Sequence, residues 1–189
     1  MPTVPPVADG ATSASTDPIL TLLRHDAWAT RRVLALCATF TRDQFHQPFP
    51  IGLGSLHANL THIVGAMRRW ADRIAARPLR NSLDKPPEAR DRSPLLLTEL
   101  LDEAARDLQH LAAAAAADGS LHAPVDFVFH APGGQETLRL PRQNALLHVA
   151  THGQHHRTQC LNMLRHLGHE LDSGDYDLVE WSASHAGRA

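Results

Sequence analysis

Apolar positions recur with a helical period in four long stretches of the chain. The first covers residues 17–40, with Ile19, Leu22, Leu23, Ala27, Val33, Leu34 and Cys37 on one face. Asp17 supplies an N-cap there and Pro18 a first-turn proline. The second covers 55–77, where Leu56, Leu60, Ile63, Met67, Trp70 and Ile74 alternate steps of four and three. Ser55 caps it after a loop containing Gly52 and Gly54, and Pro78 stops it. The third covers 94–117, with Leu97, Leu100, Leu101, Ala104, Leu108 and Leu111 on one face. Its alanine run, 112–117, reads as helix because alanine is the best helix former, and Asp118-Gly119 marks the end. The fourth runs from 141 to 167 and stops at Gly168.

The intervals have a different texture. Residues 81–93 carry charge and proline and form a connection. Residues 125–130 and 137–140 flank Ala131-Pro132-Gly133-Gly134-Gln135, which predicts a β-hairpin. The expected fold is therefore all-α, an up-down four-helix bundle variant with a small β-hairpin before the fourth helix. The bundle is expected over 17–181, with loose tails at 1–16 and 182–189. Tyr176, Leu178, Val179 and Trp181 give the end of the bundle region enough apolar surface to dock a short segment.

Composition agrees with helices and narrows the partners. Of 189 residues, 43% are hydrophobic and only 5% aromatic, which favours helix over sheet around a real core. The formal charge of −2, with acidic and basic residues interspersed, gives no footprint for nucleic acid. The arginines at 68, 69, 73, 77 and 80 read as a solvated helix face. No apolar run reaches the roughly 20 residues of a membrane span. Residues 1–16 have no basic region followed by an apolar one, so they read as a tail and not as a signal peptide. Cys37 and Cys160 fall in apolar helical runs and are expected to be buried free thiols in a reducing cytoplasm.

Fourteen histidines are the compositional outlier. Four of them, His148, His152, His155 and His156, lie within nine residues of the fourth helix. At about 100° per residue they share an arc of roughly 100°, with His152 and His156 nearest the core and His148 and His155 on the flank. An i, i+4 pair can bring two imidazoles onto one ion. Several buried neutral imidazoles would otherwise each need a partner, and several protonated ones would repel. The pattern therefore points to one divalent metal ion held by at least two of these histidines; an exposed, pH-sensing histidine flank is the alternative. Gly153, beside the pair, would let another helix approach. A third ligand must come from elsewhere. His57 and His62 both lie about 100–120° off the centre of the second helix's apolar stripe, on opposite sides, so periodicity leaves the choice open.

At this point the residues resemble a known family. The run from His148 to Gln159 is similar to the His-x-x-x-His-x-x-His-His-Arg-Gly-Gln signature of the DinB (DinB/YfiT-like) family, and Leu60-Thr61-His62-Ile63 resembles its second-helix motif. Asp26-Ala27-Trp28-Ala29-Thr30 and Gly174-Asp175-Tyr176-Asp177-Leu178 also fit the family pattern. The resemblance implies a four-helix bundle, commonly a homodimer, with a metal, typically zinc or nickel, on three histidines. By motif position these are His62, His152 and His156. It further implies either a transferase or isomerase using a low-molecular-weight thiol, or a metal-dependent hydrolase. Two positions depart from the pattern. Thr158 replaces the signature glycine, and Met67 stands where relatives often carry an acid; Asp72 and Glu103 have no motif support as its substitutes.

Three histidines around an ion leave coordination positions open, the arrangement of a catalytic site. Such an ion can acidify a water or a thiol. His148, His155, Arg157 and Gln159 are then candidates to orient the ligands, move protons or touch substrate. The leading expectation is a metal-dependent thiol transferase or hydrolase acting on a small molecule. The alternatives are a non-catalytic metal-binding stress or sensor module and a metal-free dimerisation module.

Overall fold

The computed structural model describes residues 17–86 and 89–185; the tail expected at 1–16 and the last four residues lie outside them. Four long helices are observed, α1 (Pro18–Cys37), α3 (Leu56–Ile74), α4 (Pro94–Ala117) and α5 (Arg142–His166). Between them lie a short helix, α2 (Arg42–His46), and an antiparallel hairpin, β1 (Pro124–Ala131) and β2 (Gly134–Pro141); α6 (Leu178–His185) ends the described chain.

The starts are set by side chains that satisfy orphan helix N–H groups. Asp17 accepts from the backbone N–H of Ile19 and Leu20, Ser55 from Ala58, and Ser93 from Leu96. The short helix α2, absent from the periodicity, owes its existence to a capping box in which Thr41 and Gln44 bond each other reciprocally. α6 continues to His185, past position 181 where the apolar pattern ends.

The four long helices form a ring in which α1 packs on α4 and α5, and α3 packs on the same two. α1 and α3 are thus diagonal, and so are α4 and α5. The core between them is built of Leu23, Leu34, Leu60, Ile63, Leu97, Leu101, Leu108, Leu146 and Leu164, all essentially without solvent contact. At about 1.5–3 kcal/mol for each fully buried large aliphatic side chain, this interior supplies the main driving force. The hairpin lies against the α3–α5 edge, where Phe127 stacks on Trp70 with centroids 5.1 Å apart and Arg73 covers both rings. Of the arginines expected on a solvated face, Arg77 is exposed, yet it and Arg80 converge on buried Asp72, and both also reach Asp107.

A buried polar contact joins α1 to α5. Arg157 of α5 donates to the Asp26 carboxylate of α1 and, at 3.1 Å, to the Thr30 hydroxyl. Both charged side chains are buried. Burial pushes the Asp26 carboxyl above its ordinary range while the Arg157 guanidinium pulls it back. Gly153, one turn before Arg157, makes the approach possible, because a Cβ there would overlap the Asp26 carboxylate and lie 2.9 Å from Arg157 Nη1.

Gly153→Ala tests this packing. Alanine in a helix interior is otherwise favoured by about 1 kcal/mol, but overpacking costs about 1–3 kcal/mol and disturbing a buried ion pair about 3–5 kcal/mol. A net loss of at least about 1 kcal/mol is expected in urea unfolding; unchanged or increased stability would show that α1 and α5 do not meet here.

Candidate metal centre

Because α3 and α5 are ring neighbours, their histidine-bearing faces meet. His62 comes from α3, and His152 and His156 from successive turns of α5. Their three ring centroids form a nearly regular triangle, with separations of 5.0 Å (62 to 152), 4.7 Å (62 to 156) and 4.6 Å (152 to 156). Each offers one ring nitrogen to a cluster in which all donor atoms lie within 4.8 Å of one another. The Nε2 atoms of His62 and His152 are 3.2 Å apart.

The inward orientation is imposed from behind. His62 Nδ1 lies 2.7 Å from the Asp84 carboxylate, which can only accept, so Nδ1 carries the proton and Nε2 the lone pair. His156 Nδ1 faces Asn59 Oδ1 at 3.2 Å and Gln159 Oε1 at 2.9 Å, which fixes the same tautomer. Asn59 is itself held, its amide N–H donating to the Ser55 carbonyl at 2.9 Å. Above these two amides runs the loop through Gly52, whose φ of 51° is left-handed; a Cβ there would overlap Gln159 and sit 2.7 Å from Asn59 Oδ1.

Electrostatics favour the neutral forms of His152 and His156. Burial, followed by the neighbouring His156 and His62, pushes His152 down to about 3. Burial also lowers His156, against the raising effect of its hydrogen bond to Gln159 Oε1. Asp84 is held well below the usual carboxylate range, chiefly by His62, with Ser82 donating to its other oxygen. At neutral pH His152 and His156 therefore present imidazole lone pairs, and the three-histidine donor set fits a divalent metal ion.

The other sequence candidates surround the cluster at different depths. His148 is exposed, its ring 5.5 Å from His152 and 5.0 Å from Trp70. His155 is exposed, 5.0 Å from the His156 ring, and accepts from the Gln159 amide at 2.9 Å. Gln159 thus links His155 to His156. Arg157 turns the other way, into the core and onto Asp26. Thr158 lies on the exposed side of α5, its hydroxyl donating to the Gln154 carbonyl.

Met67 is a core residue. The acid at the centre comes instead from Asp84, in a loop that periodicity leaves featureless. The loop is pinned by Leu83, buried against Gly65, and by Arg92, which donates to the Leu83 carbonyl at 2.9 Å. Asp72 is locked by Arg77 and Arg80, and Glu103 bonds Arg80. A cavity of about 300 Å³ opens beside Asp84, with Leu53, Ala58, Thr61 and Leu83 among its walls.

The family model for the DinB family matches residues 12–188. The chain belongs to the DinB family. A solved structure of similar fold is a DinB-like protein from Bacillus cereus ATCC 10987, 18% identical, with a TM-score of 0.62 over 82% of this chain and 94% of that one. Comparison with curated proteins gave no match. The three-histidine cluster and the membership of the DinB family together fit a metal-binding protein. Among the described residues, no helix is long and apolar enough to cross a membrane.

Asp84→Asn measures how much the loop contributes to this DinB centre. Removing the carboxylate behind a ligating histidine typically weakens metal binding 10–100-fold. A loss of about that size is expected by competition with a chelator, with little change in helix content by circular dichroism. Unchanged affinity would show that Asp84 does not orient His62.

Proposed function

We propose that this DinB-family chain is a metal-dependent enzyme acting on a small molecule, either a thiol-dependent transferase or a hydrolase. The observation that supports it best is the convergence of three imidazoles from two helices, two of them with Nδ1 committed to side-chain oxygens. His62, His152 and His156 would hold the ion, and three protein ligands leave room for substrate. A divalent ion in such a setting supplies Lewis-acid chemistry that makes a water or a thiol more acidic at neutral pH.

The chain's own residues do the rest. Asp84 holds the His62 imidazole in one tautomer, and Asn59 with Gln159 does the same for His156. Exposed His148 and His155, beside the cluster, are the groups able to pass a proton to solvent. The cavity beside Asp84 offers apolar walls for the body of a substrate. A cytoplasmic location is part of this reading, supported by the free, buried thiols of Cys37 and Cys160. So is a homodimer, which rests on the resemblance to the family. Zinc or nickel is the proposed ion, and a low-molecular-weight thiol the proposed cosubstrate.

A second reading, a non-catalytic metal-binding stress or sensor module, draws on Met67. That position carries no acid, and Asp84 is engaged in holding His62.

The test is a screen of tag-free, metal-loaded protein with low-molecular-weight thiols against electrophiles, run beside simple esters and amides. Turnover is expected in one class, with both metal and activity lost in His152→Ala. Activity that survives in His152→Ala contradicts the proposal; no turnover in any class, with metal retained, favours the non-catalytic reading.

A further inference from the structure

The loops that frame the centre bring a second group of metal-ligating side chains together. His46 ends α2, His57 lies in the first turn of α3, and Asp91 lies in the connection before α4. None of them belongs to the three-histidine cluster. The His46 and His57 rings stack at 4.3 Å and 25°, both edge-on to the buried Phe45 ring, which fixes their orientation. Asp91 Oδ1 lies 2.8 Å from His46 Nε2 and 3.8 Å from His57 Nε2. Arg42 Nε donates to the other carboxylate oxygen at 2.7 Å, which leaves Oδ1 turned toward the imidazoles.

The protonation pattern sharpens the geometry. The backbone N–H of Arg92 donates to His57 Nε2 at 3.2 Å, so this nitrogen carries a lone pair and no proton. His57 Nε2 and Asp91 Oδ1 lie 3.8 Å apart, and an ion placed between them would take the place of the Arg92 N–H on the one and the His46 N–H on the other. Donor atoms bonded at about 2.0–2.2 Å around one ion lie roughly 3–3.5 Å apart. All three donors here are within 4.8 Å, so a small convergence of the exposed Asp91 suffices.

We propose that His46, His57 and Asp91 form a second divalent-metal site, distinct from the three-histidine centre. Two imidazole nitrogens and one carboxylate oxygen suit a first-row ion of intermediate softness, such as zinc, and disfavour calcium or magnesium, which take mainly oxygen ligands. His57 also lines the cavity that opens beside Asp84. An ion on His57 would add positive charge to the wall of this cavity and draw anionic groups of a solute into it.

The experiment is metal stoichiometry on the full chain without a histidine tag, stripped with chelator, equilibrated with buffered zinc and gel-filtered before elemental analysis. Two zinc ions per chain are expected, falling to one in His46→Gln and in Asp91→Asn, both partly exposed positions whose folding is checked by circular dichroism. His152→Ala should lose the other ion and keep this one, which separates failure here from failure of the three-histidine centre. One zinc per chain that both His46→Gln and Asp91→Asn retain, or two that neither variant reduces, overturns the proposal.

Discussion

The Nδ1–H groups of His62 and His156 each end on a side-chain oxygen, and that pairing decides which nitrogen faces the centre. A neutral imidazole has one donor and one acceptor, so fixing the donor fixes the lone pair. Much of the surrounding structure serves those two hydrogen bonds. Leu83 and Arg92 anchor the loop that delivers Asp84, and Gly65 makes room for Leu83. Ser55, besides capping α3, accepts from the Asn59 amide, so its oxygen is left for His156. The left-handed turn at Gly52 lets a loop lie over Asn59 and Gln159 where any side chain would collide.

The same constraint accounts for the position of α5. Its histidines must meet His62 of α3 while another side packs on α1, and that contact includes a buried ion pair. Such pairs add little net stability, because desolvation offsets most of the attraction, but breaking one is costly. The Asp26–Arg157 pair, with Gly153 beside it, thus admits one register of α5 against α1. That register carries His152 and His156 to the height of His62. Arg157 and the histidine beside it, about 100° apart on one helix, thereby point the first to α1 and the second to the centre.

Much of this was legible from the order of residues. Steps of three and four reveal all four long helices, and Asp17, Ser55 and Gly168 mark their ends because caps and left-handed stops are local chemistry. The wheel also ranks the α5 histidines by depth, and the structure keeps that order, with His156 buried, His152 half-buried, and His148 and His155 exposed. Periodicity is silent where no period exists. α2 is only five residues long and held by one capping box, and Asp84 and Asp91 sit in a connection shaped by long-range contacts. The choice between His57 and His62 could not be made from one helix because both flank its stripe. Only the packing of α3 against its neighbours separates them, turning His62 toward α5 and His57 toward α2 and the following loop. Arg157 reads as a polar neighbour of the histidines in the sequence, yet a partner more than a hundred residues away takes it into the core.

The central claim is that three imidazoles, and no sulfur, hold one ion between α3 and α5. X-ray absorption on the protein loaded with a single equivalent of zinc or nickel tests it most directly. The account predicts three imidazole ligands with the remaining positions filled by light atoms, falling to two in His156→Gln. A sulfur ligand from the protein, or fewer than three imidazoles in the unaltered chain, would contradict it.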